Sequence, residues 1–182
     1  VAMLNGIMVD CQYRSAGHSA GTVKGVTRYN FITDSSIMIT DEGTFKRNGN
    51  LGDERNTGRS YTKLSTTDIA HTQCNDVAMT VLPNAPIDAS TGLPIPTIAV
   101  ATDGGISIIR DNGATHVGLI TATTEVVVDM AISNASTQPA KEIYFTESNK
   151  LAFTHGGNWV YYYPIPSSDT TSTYWNGLAG FI

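Results

Sequence analysis

Charge is scarce in this chain: Asp, Glu, Lys and Arg make up 15% of its 182 residues, against 41% hydrophobic. A disordered chain shows the opposite balance, so these residues are expected to fold around a core. Basic residues are the thinnest of all. Eleven Lys and Arg are scattered without a run and the formal net charge is −5, which removes the basic footprint that DNA or RNA binding needs. Long apolar runs are missing too. No stretch reaches the roughly 18 to 20 residues of a membrane-spanning helix, so no membrane insertion is expected. The stretch Val1 to Val9 has no basic lead and ends at Asp10, unlike a signal peptide. A first residue of Val fits a piece of a longer chain.

Cysteine is limited to Cys11 and Cys74. A pair does not make the disulfide framework of a small secreted domain, which takes about four or more. The two are read as buried or half-buried thiols, with a single bridge as the alternative. The helix formers Leu, Glu and Lys are also few, at 8, 5 and 5, whereas Thr, Ile and Val number 24, 16 and 12. That balance suits a pleated, half-buried surface and opposes helices. Seventeen glycines and seven prolines interrupt the chain too often for long helices. The class is all-β.

What is present is self-similarity. Three windows, 37–47, 98–110 and 151–163, each contain a short apolar strand, a turn and a second strand. Their turns read Thr40-Asp41-Glu42-Gly43, Thr102-Asp103-Gly104-Gly105 and Thr154-His155-Gly156-Gly157, spaced 62 and then 52 residues apart. A tight hairpin favours positive φ at its central residues, which Gly and Asp accept. His155 fills the Asp slot of its turn and is read as a loop residue. Asn48-Gly49 and Asn112-Gly113 read as further two-residue reversals. Alternating strands precede two of the turns, with Val77, Met79 and Val81 on one face and with Ile143 and Phe145 on another. The run from Glu125 to Ile132 reads as a strand buried on both faces. Leu82 to Pro96 is a Pro-rich loop, and Asn48 to Thr57 is a second, polar one.

Three or four strands repeated every 50 to 60 or so residues is the pattern of a β-propeller blade. The expectation is therefore an all-β, propeller-like module of about three blades, 1–65, 66–121 and 122–182, forming a partial ring. An irregular β-sandwich is the competing architecture. Such an open ring should leave apolar flanks at Ile7, Met8 and Val9 and at Leu178, Phe181 and Ile182, covered by further chain or by other copies.

The run from Asn75 to Asp88 (NDVAMTVLPNAPID), continuing through Gly92 to Gly105 (GLPIPTIAVATDGG), resembles a recurring segment of tail-fibre proteins of tailed bacteriophages. Gly21 to Val26 and the Ile39 to Phe45 turn are similar to the blade that precedes that segment. The resemblance covers residues 13 to 115; beyond Thr124 only the general blade pattern continues. In that family, propeller-like blades stand beside lectin-like sandwich domains in longer chains. The resemblance implies an extracellular virion part serving tail architecture or host attachment. Its expected partners are other tail proteins or copies of itself, with a host surface glycan as a further one.

No catalytic pattern accompanies this. His18, His71, His116 and His155 share no metal-ligand spacing, and His71 with Cys74 lacks the second pair that a zinc site needs. Phosphate-loop, Gly-x-Ser-x-Gly and His-Glu-x-x-His motifs are absent. A sialidase-type propeller would carry Asp-box repeats, which are missing, and an arginine cluster, whereas Arg14, Arg28, Arg47, Arg55, Arg59 and Arg110 are scattered. Asp41 and Asp103 recur at one turn position and so serve the turn. The chain is read as a non-enzyme with no metal and no cofactor. A bacterial surface or periplasmic sensor propeller is the alternative, with a glycan-active enzyme behind it. Aromatic residues concentrate near the end, and Trp159, Tyr161 and Trp175 are the residues that would stack on a glycan or meet a partner. Alternation of Trp159, Tyr161 and Tyr163 puts these three on one strand face, and core packing is the favoured reading for them.

Overall fold

The computed structural model describes residues 1–13, 24–40, 42–51, 61–65, 69–111, 125–131, 139–155, 159–165, 170–171 and 179–181. These are strands and turns, with no helix among the described residues. Six strands form the first sheet in chain order: β1 (Ala2–Leu4), β2 (Ile7–Tyr13), β3 (Lys24–Asn30), β4 (Ser35–Thr40), β5 (Gly43–Arg47) and β6 (Tyr61–Ser65). The second sheet holds β7 (Cys74–Thr80), β8 (Thr97–Thr102), β9 (Gly105–Asp111) and β10 (Glu125–Ala131). The third holds β11 (Ala140–Phe145), β12 (Lys150–His155) and β13 (Trp159–Pro164). The short β14 (Thr170–Thr171) returns to pair in parallel with β10, and β15 (Ala179–Phe181) closes the third sheet beside β13. All other pairings are antiparallel.

Each sheet contains one four-stranded meander: β3 to β6, β7 to β10, and β11 to β13 with β15. Equivalent positions carry equivalent residues. Val26 opposes Ile39, Val77 opposes Val100, and Ile143 opposes Phe153. All six are buried. The β1–β2 hairpin is an extra edge on the first sheet alone. The second sheet extends past residue 121, where the sequence reading ended its middle unit, because β10 pairs along its whole length with β9. The Glu125 to Ala131 stretch is thus a strand, as its apolar run suggests.

The middle sheet packs on both sides. Ala99, Ala101, Ile106 and Ile108 meet Ile143, Leu151 and Phe153 of the third sheet. Val77, Ile98, Val100 and Ile109 meet Ile7, Val9, Val26, Ile37 and Ile39 of the first. This explains why every residue of β8 is buried and why Thr97 to Thr102 shows no polar alternation. Ile7 and Val9, expected as an uncovered flank, lie inside this second core because even and odd residues of β2 face opposite ways. Leu178 and Ile182, the other expected flank, lie outside the described residues.

The first two repeat turns share one hydrogen-bond pattern. The Thr40 hydroxyl donates to the Gly43 carbonyl at 3.3 Å and accepts from the Glu42 N–H at 3.0 Å. The Thr102 hydroxyl donates to the Gly105 carbonyl at 2.8 Å and accepts from the Gly104 N–H at 3.2 Å. Positive φ falls on Gly43 (126°) and Gly105 (135°), the residues after the two-residue loop, while Asp103 and Gly104 between Thr102 and Gly105 keep ordinary angles. The third repeat departs from this. Thr154 pairs with Val160, so β12 runs on through His155, opposite Ala140, and the connection spans 156–158. His155 is a strand residue there, and Thr154 instead accepts the Glu142 N–H at 3.1 Å. Asn48-Gly49 opens a longer connection and not a two-residue reversal, since Arg47 pairs with Tyr61. Asn112-Gly113 lies outside the described residues.

Cys11 and Cys74 are joined by a disulfide, with Cα atoms 5.5 Å apart. The bridge links β2 of the first sheet to β7 of the second and replaces the thiol reading. Burial of Ile69 and Val77 on either side in sequence brings Cys74 to β2 at the edge of the core.

Candidate functional site

The junction between the second and third sheets is polar at its edge. A bulge between Cys74 and Asp76 turns Asn75 and Asp76 toward β11. The Asn75 amide donates to the Ala140 carbonyl at 2.8 Å and to the Asp103 carboxylate at 2.9 Å. Asp76 accepts the Ile143 N–H at 3.0 Å through one oxygen and the Val77 N–H at 2.8 Å through the other. These side chains satisfy backbone groups of the β11 edge, which an unpaired strand would otherwise leave open. Asp103 is committed to this network, and its own N–H donates to the Gln73 carbonyl at 3.1 Å.

Polar groups also reach the surface on the outer face of the third sheet. Tyr144 and Tyr162 both pair with Ala152, one from each side, so they flank this small buried residue on one face. They are 41% and 38% exposed and hydrogen-bonded to each other. Partial burial, followed by that hydrogen bond and the charges of Tyr162 and Glu142, holds the Tyr144 hydroxyl protonated above its ordinary pKa of 10.0. The pair presents two rings and two hydroxyls, with Glu142 close enough to act on Tyr144. The sequence carried a signal for Tyr144, since Ile143 and Phe145 alternate with it. Tyr162 has no such signal in the run Tyr161-Tyr162-Tyr163.

Of the aromatic residues singled out above, Trp159 and Tyr161 belong to β13; Trp159 pairs with Phe181 on β15, and Tyr161 pairs with Ala179 on β15 and Phe153 on β12. Trp175 lies outside the described residues. The structure therefore places Tyr161 beside a buried core residue in register, and brings Tyr144 and Tyr162 together instead. His71 Nδ1 accepts the Gln73 N–H at 3.0 Å. Asp41, His18 and His116 lie outside the described residues, as do Arg14, Arg55 and Arg59. Among the described residues no three His, Cys, Asp or Glu side chains gather where they would hold a metal ion, and no helix is long and apolar enough to cross a membrane. Comparison with protein-family models, with curated proteins and with solved structures found no match to this chain.

Proposed function

We propose that the three sheets are consecutive blades of a propeller-like ring and that the chain is a structural or attachment part of a bacteriophage tail. In this reading it sits on the virion, outside the cell, and contributes to tail architecture and host attachment without catalysing a reaction. Its partners are other tail proteins or further copies, and a host surface glycan is a ligand for its exposed rings. The observation that carries the reading is the repeat of one four-stranded meander in three successive sheets, stacked face to face with Val26, Val77 and Ile143 in equivalent places. Radial or serial stacking of four-stranded sheets is the propeller's way of covering sheet faces. The resemblance of residues 75 to 105 to tail-fibre segments supplies the biological setting.

Immunogold electron microscopy tests it. Antibodies raised to the 182-residue chain should label the tails of virions induced from the source bacterium. Labelling of the envelope of cells without virions, and of no tail, would replace this reading by the sensor propeller.

A further inference from the structure

Asn48 and Gly49 follow the last residue of β5, and both are exposed. Lys46 pairs with Thr62, so Asn48, two residues further on, lies diagonal to Thr62 on the same side of the strand pair. The Thr62 hydroxyl donates to the Asn48 side-chain carbonyl oxygen at 2.8 Å. A second Asn-Gly pair, Asn5 and Gly6, forms the turn between β1 and β2. There the polarity is reversed. The half-buried Asn5 donates from its side-chain amide nitrogen to the Pro94 carbonyl at 2.8 Å. The other Asn-Gly pairs, at 112–113 and 176–177, lie outside the described residues.

An Asn-Gly pair has a reaction of its own. The Gly nitrogen gives its proton to a solvent base and attacks Cγ of the Asn side chain. The Cγ–Nδ2 bond then breaks, and the nitrogen takes up a proton and leaves as ammonia, closing a cyclic imide. Water opens that ring at one of its two carbonyls, giving an aspartyl or an isoaspartyl residue. Amide and water thus become carboxylate and ammonium, with no change of oxidation state. Glycine suits the attack because no Cβ shields its nitrogen.

What a hydrogen bond does to this reaction depends on the end of the amide it meets. A donor on the carbonyl oxygen draws electrons from Cγ and stabilises the negative charge that forms on that oxygen during attack. Thr62 does this for Asn48. An acceptor on the nitrogen keeps its lone pair in the amide and off the path to ammonia. Pro94 does this for Asn5. The Asn5 turn is also closed: Leu4 pairs with Ile7, its two residues have φ of 51° and 75°, and the Gly6 carbonyl accepts the Phe31 N–H at 3.0 Å. Ring closure there has to open the hairpin turn.

We propose that Asn48 is a site of spontaneous deamidation, promoted by the Thr62 hydroxyl, and that Asn5 is shielded from it. Each event at position 48 adds one negative charge beside Arg47. The isoaspartyl product also adds a main-chain methylene just past Arg47 and Tyr61, the pair that ends β5. The site stands at a strand end, so a ring that covers sheet faces leaves it open. The inference is independent of where the protein works.

Peptide mapping by mass spectrometry, during incubation in warm, mildly alkaline buffer, tests it. In the folded chain Asn48 should convert at least about fivefold faster than Asn5. Thr62→Val should slow Asn48 about threefold to tenfold, the range that one hydrogen bond gives. Thr62→Ser keeps the hydroxyl and should keep the rate. Asn5 should stay slow in both variants, which reports that the fold is kept. Unfolding in urea should bring the two asparagines together, because neither hydrogen bond survives. Equal rates in the folded chain overturn the inference, as does a Thr62→Val rate equal to that of the wild type. So does an Asn48 that stays intact while the unfolded chain converts.

Discussion

The carboxylate of Asp76, on the second sheet, accepts the backbone N–H of Ile143, a core residue of the third sheet, at 3.0 Å. Its other oxygen holds the Val77 N–H, so one side chain ties two core positions, Val77 and Ile143, into separate cores. Replacing it should loosen the junction between the sheets. Asp76→Ala should lower stability by about 1 to 3 kcal/mol, the cost of stranding half-buried donors. Urea unfolding followed by tryptophan fluorescence would read this as a lower midpoint. An unchanged midpoint would mean that water serves these groups equally well.

Reduction of the bridge between Cys11 and Cys74 should have a larger effect. It closes a loop across a separation of 63 residues, for which the chain-entropy model gives about 4 kcal/mol. The Cys11→Ser, Cys74→Ser variant should unfold at a lower temperature than the oxidised chain, and a reducing agent should shift the parent but not the variant. If the reductant shifts both alike, the bridge is not the cause.

Gly25 on β3 tests a backbone contact. Its φ is +138°, and a Cβ there would stand 2.3 Å from the Ile39 carbonyl oxygen. Gly92, with φ +69°, is strained for other residues too but has open space around its Cβ position. Gly25→Ala should therefore cost at least about 2 kcal/mol, and Gly92→Ala only about 1. Equal losses would assign the whole effect to backbone angle.

Tyr144 should ionise late. Burial raises its pKa above 10.0, helped by Tyr162 and Glu142. The folded chain then holds this proton more tightly than the unfolded one. Its contribution to stability is complete below pH 10.0 and is lost as the pH climbs through the raised value. Ultraviolet titration at alkaline pH should show Tyr144 ionising late, and Tyr162→Phe should bring it back toward the ordinary range. No change in that variant would leave burial as the whole cause.

Much of this fold was legible because its cause is local. The windows around Thr40 and Thr102 pair as hairpins, since alternation and a Thr-x-x-Gly turn act within a dozen residues. Positive φ differs from the expectation: it falls on the fourth residue of the motif, Gly43 and Gly105, and not on Asp103 or Gly104. The Thr154 window kept its hairpin but shifted its turn, as pairing of His155 with Ala140 extends the strand. What escaped the sequence was long-range. Joining Cys11 to Cys74 needs the stacking of two sheets, and nothing near either cysteine encodes that. The Tyr144 and Tyr162 pair likewise exists only once Ala152 sits between them. Grafting β10 onto the second sheet depends on its pairing with β9 across the connection 112–124.

The bridge also decides how the chain would respond to a pull on its two ends. Antiparallel meanders of this kind unzip strand by strand, and each released residue adds about 3.3 to 3.6 Å of length. With Cys11 and Cys74 joined, the interval between them cannot pay out, so a stretch of 63 residues is shielded from extension. That withholds roughly 200 Å of slack, and the tension passes from Cys11 straight into β7. Oxidised, the molecule is a short tether whose load falls on the second and third sheets; reduced, it lengthens and the first sheet gives way as well.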